Sequence, residues 1–113
     1  RSGITFHVDP ANTTTWLSIV SGRKRWNLLP PSSIVDHQHN FNAFDWHRYV
    51  LPTLQANQQP LVCVQEAFDT IVVPSGWHHA VLNIDDSVGV TVNVVDRHNF
   101  VHVATQMAIT PNH

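Results

Sequence analysis

A His-x-Asp triplet and a distant pair of histidines are the residues of this sequence best suited to chemistry. His7 and Asp9 lie two positions apart, so on a β-strand their side chains point to the same face. Two adjacent histidines, His78 and His79, lie far downstream in the sequence. Two imidazoles and one carboxylate on one face of an octahedral ion leave the other positions open, which is typical of non-haem Fe(II) oxygenases. The sequence therefore predicts an iron site with one histidine of the pair as its third ligand.

The only lysine, Lys24, is a second candidate for chemistry. Residues 23–29 alternate as a strand, which places Lys24 on the face of Trp26 and puts Arg23 and Arg25 on the other face. Because the two arginines already supply the solvent-facing charge, the lysine is suited to hold a carboxylate of an anionic co-substrate. The alternative is an ordinary exposed strand lysine.

Short runs of β-branched and aromatic residues, bounded by Pro, Gly, Asn and Asp, predict a mainly β architecture. Residues 11–21 have an ambiguous period and fit either a short helix or a strand. A weakly helical tail follows over 99–107. The expected strands cover residues 5–9, 23–29, 61–65, 70–73, 77–83 and 87–95.

Size and composition indicate one domain over residues 1–113, with a loop insertion at about 32–60 of a length typical of lids or binding loops. A net charge of −2 and 12% charged residues favour neither nucleic acid nor an anionic membrane surface as a partner. No apolar run approaches the roughly 20 residues of a membrane span. Cys63 is the only cysteine and is expected to be a buried free thiol, which favours an intracellular location, nuclear or cytoplasmic.

The tail contains Phe100, Val101 and Val103 in a short segment. Three bulky apolar side chains would form an exposed patch if the segment lay free. We therefore expect them to pack against the barrel or against a second copy of the chain, so that a homodimer could form through the tail.

Four blocks of the sequence together resemble the jumonji-C (JmjC) domain, and most closely its phosphatidylserine-receptor-like branch of protein hydroxylases. The resemblance runs from about Ser2 to about Val95. It implies a double-stranded β-helix, the jelly-roll fold of cupins, lacking its first strand or strands, which would precede Gly3. The blocks are His-Val-Asp at 7–9, Gly-Arg-Lys-Arg-Trp at 22–26, Val-Pro-Ser-Gly-Trp-His-His at 73–79 and Thr-Val-Asn at 91–93.

The resemblance also implies a role for individual residues. His7, Asp9 and His79 match the iron ligands, whereas strand alternation turns His78 to the other face. Lys24 and Thr91 match the residues that hold the distal carboxylate of 2-oxoglutarate, and Asn93, on the same strand face as Thr91, is a third candidate for binding this co-substrate. The implied cofactors are Fe(II), 2-oxoglutarate as co-substrate and O2.

Two departures from the family pattern bear on this interpretation. Leu17 occupies a position where some relatives carry a polar contact to the co-substrate. Phe68 stands where the family usually has the glycine of a tight turn, and since phenylalanine resists a positive φ we expect a turn of another type.

The expected function is an Fe(II)- and 2-oxoglutarate-dependent oxygenase that hydroxylates, or N-demethylates, a side chain of a protein substrate. One alternative is a catalytically silent metal-binding jelly-roll module that serves as a protein-binding domain. A Zn- or Mn-dependent cupin of isomerase or lectin type is another, although it would need more neutral nitrogen ligands and no reserved lysine.

Overall fold

Seven β-strands form two antiparallel sheets in the computed structural model, which describes residues 2–33 and 41–109. The first sheet has the order β1-β6-β3-β4 and the second the order β5-β2-β7. Successive strands alternate between the sheets for most of the chain, which confirms the predicted all-β jelly roll. Further strands ahead of Gly3 stay an expectation. The strands are β1 (Gly3–His7), β2 (Thr14–Ser21), β3 (Lys24–Leu29), β4 (Leu61–Gln65), β5 (Thr70–Val73), β6 (His78–Asn83) and β7 (Val88–Val94).

The segment of ambiguous period, 11–21, is resolved as a turn followed by a strand. A 3-10 turn at Pro10–Asn12 follows Asp9, and β2 starts at Thr14. Ala11 and Asn12 adopt φ angles of 53° and 55°. Asparagine tolerates this left-handed region, but alanine seldom enters it. The turn reverses the chain, so that β1 and β2 lie in opposite sheets.

The core lies between the two sheets and centres on Trp26, Val73 and Val81. Trp26 is 1% exposed, and its indole nitrogen donates to the buried Gln65 Oε1 at 2.9 Å. The Gln65 amide in turn donates to the backbone carbonyls of Leu17 and Asp69. A buried polar side chain is therefore fully bonded, and it ties β4 of the first sheet to β2 of the second.

Residues 43–47 of the insertion pack on the outer face of the first sheet. A short helix, α1 (Ala43–Asp45), runs into a π-helical turn and two 3-10 turns. Trp46 meets Phe6 edge to face at 4.7 Å between ring centroids. Gly3 permits the close approach, because a Cβ there would lie 2.8 Å from that of Ala43. These residues thus form a second, smaller core; residues 34–40 lie outside the described residues, and a role of the insertion as a lid or binding loop stays a prediction.

Two smaller expectations need correction. Phe68 does adopt a positive φ of 72°, with its side chain 84% exposed and its backbone N–H bonded to the Ile19 carbonyl at 2.7 Å. The turn therefore has a positive φ without a glycine. Cys63 is exposed, where a buried thiol was predicted.

The tail forms a helix, α2 (Phe100–Ile109), and packing of its exposed side chains against a second copy stays a prediction. Val103 is buried, whereas Phe100 and Val101 are 60% and 75% exposed. The helix lies against the Pro10–Asn12 turn, so one side of it packs and the other faces solvent. Among residues 2–33 and 41–109, no helix combines the length and apolarity needed to cross a membrane.

Candidate metal centre

The two distant histidines of the sequence meet because β1 pairs with β6. His7 is directly opposite His79 in this antiparallel register, and Asp9 follows the end of β1. Asp9 Oδ1 lies 3.7 Å from His7 Nε2 and 3.4 Å from His79 Nε2. One potential ligand atom from each residue falls within 4.8 Å of the other two. The structure thus brings together the three residues expected from the sequence.

Backbone hydrogen bonds orient both imidazoles. His7 Nδ1 lies 2.9 Å from the Thr5 carbonyl, and His79 Nδ1 lies 3.1 Å from that of Trp77. A carbonyl only accepts, so Nδ1 carries the hydrogen and Nε2 keeps a free lone pair in the neutral ring. Burial lowers the pKa of His79, an effect that the Trp77 carbonyl partly opposes. The neutral ring, the form that binds metal, is therefore favoured.

His78 belongs to a different environment from its neighbour. It pairs with Leu29 on β3, whereas His79 pairs with Leu28. Successive strand residues face opposite ways, so His78 points away from Asp9. His79 instead lies against the Trp26 ring, with centroids 6.0 Å apart and an interplanar angle of 27°. Strand parity therefore separates the two histidines as expected.

The donor set fits a divalent transition metal. The ligand atoms lie within 4.8 Å of one another, and in the neutral rings that the two carbonyls favour all three present lone pairs that repel one another. A cation relieves that repulsion. Two nitrogens and one oxygen on one face suit Fe(II) and leave further positions free, while a closed four-ligand zinc site would need one more protein ligand.

Lys24 lies on the same inner face as the cluster, toward the other end of β3. Its ammonium donates to Asn83 Oδ1 at 2.6 Å, and Asn83 Nδ2 donates to Ser2 Oγ at 2.8 Å. Partial burial lowers the pKa of Lys24, but the side chain is a cation at neutral pH because its reference value is far higher. The lysine is thus held in place as a positive charge on the inner wall.

Thr91 and Asn93 lie on β7 in the opposite sheet. They pair with Leu17 and Thr15 of β2, so all four side chains share the inner face of that sheet. Leu17 packs against the core around Trp26, forming an apolar wall. Asn93 lies near the cluster: its Oδ1 is 3.4 Å from Thr15 Oγ1, and its Nδ2 donates to Thr13 Oγ1 at 2.9 Å.

Two residues at the site were missed from the sequence. Thr15 donates a hydrogen bond to Asp9 Oδ2, and Asn83 holds Lys24. Strand parity could have found both: Asn83 shares a face with His79, and Thr15 shares one with Leu17 once residues 14–21 are known to be a strand. The ambiguous period of that segment concealed Thr15.

The two facing sheets and the cluster of two histidines and a carboxylate define a cupin-like jelly roll with a three-residue metal site. A family model described as "JmjC domain, hydroxylase" matches residues 1–94. The chain belongs to the JmjC domain family, and the expected membership of its phosphatidylserine-receptor-like branch is confirmed by its relatives.

Three of these relatives carry names that describe an activity. The chain is 37% identical to lysine-specific demethylase JMJ21 of Arabidopsis thaliana over 96% of its length. It is 35% identical to the bifunctional arginine demethylase and lysyl-hydroxylase psr-1 of Caenorhabditis elegans over 82%. It is 34% identical to the 2-oxoglutarate and iron-dependent oxygenase JMJD4 of Gallus gallus over 80%. The matched regions cover 13%, 27% and 23% of those relatives, so the chain corresponds to a small part of each.

Proposed function

We propose that this chain is the catalytic part of an Fe(II)- and 2-oxoglutarate-dependent oxygenase that acts on protein side chains. The observation that carries the proposal is the convergence of His7, Asp9 and His79 on one point, with a fixed lysine on the same inner face. The name of JMJD4 supports the cofactors. The names of JMJ21 and psr-1, which refer to lysine and arginine, support a protein substrate.

The residues divide the work between metal and co-substrate. His7, Asp9 and His79 would hold iron, which when bound supplies the chemistry that inserts oxygen from O2 into a C–H bond while 2-oxoglutarate becomes succinate and CO2. Lys24 binds the distal carboxylate as a compact point charge. Thr91 adds a hydroxyl from the opposite sheet. Asn93 supports the side of the site near Asp9.

Apolar residues line one side of the site, whereas Thr91 and Asn93 on β7 are exposed. Trp26 and Val81 are buried beside His79, and Leu17 faces them from the other sheet. Leu17 thus adds an apolar wall to the site in place of a hydrogen bond of its own.

Hydroxylation and N-demethylation are two outcomes of one chemistry, because hydroxylation of an N-methyl carbon gives a hemiaminal that loses formaldehyde. The names of the relatives include both outcomes. We propose that the protein performs one or both on lysine or arginine. The silent binding module stays an alternative, and its mark would be iron binding without turnover.

Iron-dependent formation of succinate from 2-oxoglutarate tests the proposal in the full chain. We expect turnover with Fe(II) that is lost in the His79→Ala variant and retained in the matched control His78→Ala, since only His79 faces Asp9. Mass spectrometry of lysine- and arginine-containing peptides would then distinguish a gain of oxygen from a loss of methyl. Iron binding without formation of succinate would favour the silent module. Activity with zinc or manganese in the absence of iron would favour a cupin of another class.

A further inference from the structure

The two oxygens of the Asp9 carboxylate have different surroundings. Oδ1 faces the two histidine rings, 3.4 Å from His79 Nε2 and 3.7 Å from His7 Nε2. Oδ2 accepts a hydrogen bond from the Thr15 hydroxyl. One oxygen is therefore directed to the metal position while the other is already engaged.

Thr15 is fixed at a place from which it can keep this bond. It lies on β2, the central strand of the second sheet, between Val73 and Asn93, and it is 5% exposed. Asn93 Oδ1 lies 3.4 Å from its hydroxyl and Asn93 Nδ2 bonds to Thr13. Strand pairing on both sides and burial restrict the threonine rotamer, so the hydroxyl position is set by the sheet.

We infer that Thr15 is a positioning residue that makes Asp9 a ligand through one oxygen only. This inference rests on the proposed function, since it concerns the same metal. A carboxylate can bind a metal through one oxygen or two, and a free Asp9 could swing Oδ2 into the coordination sphere. Its bond to Thr15 opposes that movement. Three of six octahedral positions then stay available, two for a chelating 2-oxo acid and one for O2.

Water relaxation by Mn(II) measures the number of open positions directly. Mn(II) bound to the full chain through three protein atoms would keep about three water ligands, and a two-oxygen Asp9 would leave about two. We expect Thr15→Val, which is isosteric but lacks the hydroxyl, to lower the proton relaxivity per bound ion by about one third. Thr15→Ser, which keeps the hydroxyl, should restore it.

Two further variants keep the test decisive. Thr70→Val removes a strand hydroxyl bonded to Ser18 on the outer face, and it should leave the relaxivity unchanged. Thr15→Ala replaces Thr15→Val if the latter fails to fold. Anaerobic titration with 2-oxoglutarate should show weaker binding to the metal in the hydroxyl-free variants, with melting temperatures recorded for each.

The results separate this inference from the proposed function. If Mn(II) does not bind to the wild type, or binds equally well to the His79→Ala variant, the proposed metal site itself is wrong. Normal binding by the wild type with equal relaxivity in Thr15→Val and Thr15→Ser would overturn only the role of Thr15. A lower Mn(II) affinity with unchanged relaxivity per bound ion would also overturn it, because Thr15 would then act through stability alone.

Discussion

His79 and His47 lie on opposite faces of the first sheet, and both have a pKa lowered mainly by burial. Their hydrogen bonds differ. His47 Nδ1 lies 2.6 Å from the Ala43 carbonyl, and its Nε2 contacts the Asn27 amide, so both ring nitrogens are used within the outer core. His79 uses only Nδ1 in this way, and its Nε2 faces Asp9 and His7.

The difference shows what distinguishes a ligand from a structural histidine in this fold. Burial and a shifted pKa are common to both rings and identify neither. The distinguishing feature is a bare nitrogen aimed at other electron-rich atoms. Making the same substitution at a histidine on each face therefore tests the assignment of His79 as a metal ligand more sharply than altering the inner face alone.

Alanine at the two histidines should give the largest effect. We expect His79→Ala to weaken Fe(II) binding by more than about 100-fold, because loss of an outer partner of a metal ligand already costs roughly 10–100-fold. His47→Ala should retain the affinity and instead lower the free energy of unfolding by about 1–3 kcal/mol, since the buried Asn27 amide loses its acceptor. Calorimetric iron titration and denaturant unfolding of both variants check this. Metal loss in His47→Ala would erase the distinction between the faces.

The next largest effect should come from substitution of Lys24 on β3, compared with substitution of its neighbour Arg25. Lys24→Ala should weaken 2-oxoglutarate binding by about 100-fold, corresponding to a loss of about 3 kcal/mol when a partly desolvated carboxylate is left unpaired. Lys24→Arg should also bind poorly, because a planar guanidinium cannot take the place of a compact ammonium. Arg25→Ala, one residue away on the outer face, is the matched control. Titration of 2-oxoglutarate with iron saturating decides it, and equal affinities would remove the co-substrate role of Lys24.

A pH dependence of stability should be the smallest effect. Burial holds the pKa of His47 below its usual value near 6.5, with the Ala43 carbonyl opposing the shift and Arg25 adding to it. The unfolded chain then takes up the proton first as pH falls, so stability is present above about pH 6.5 and declines below it. Protonation would also turn Nε2 into a donor facing the Asn27 amide.

Thermal unfolding between pH 7.5 and 5.5 measures this decline. The wild type should lose several degrees, and His47→Gln should start from a lower melting temperature but lose less. His79 contributes a decline of the same sign, so the difference between the two proteins isolates His47. An identical decline in both would show that His47 has no part in it.

Strand alternation and the spacing of the motifs predicted most of the strands and the inner-face positions of Lys24 and Trp26. They could not predict contacts made between sheets. The bond from Thr15 to Asp9 depends on the left-handed turn at Ala11 and Asn12, and an alanine gives no local signal for that conformation. The placement of residues 43–47 depends on Gly3 admitting α1, and Phe68 adopts a backbone form that its side chain disfavours. In each case tertiary contacts outweigh the local preference.

The pairing of His7 with His79 also has a consequence for folding. These residues belong to the first and sixth strands, so the β1–β6 ladder closes a long loop of chain whose entropy must be overcome before the pairing gains anything. A metal ion can bind all three side chains only after that closure. At an ion concentration 100 times the dissociation constant it would add about 2.7 kcal/mol to the native state alone. The ion would thus fasten the edge strand β1 to its neighbour β6, and the chain's resistance to unfolding would depend on the metal supply.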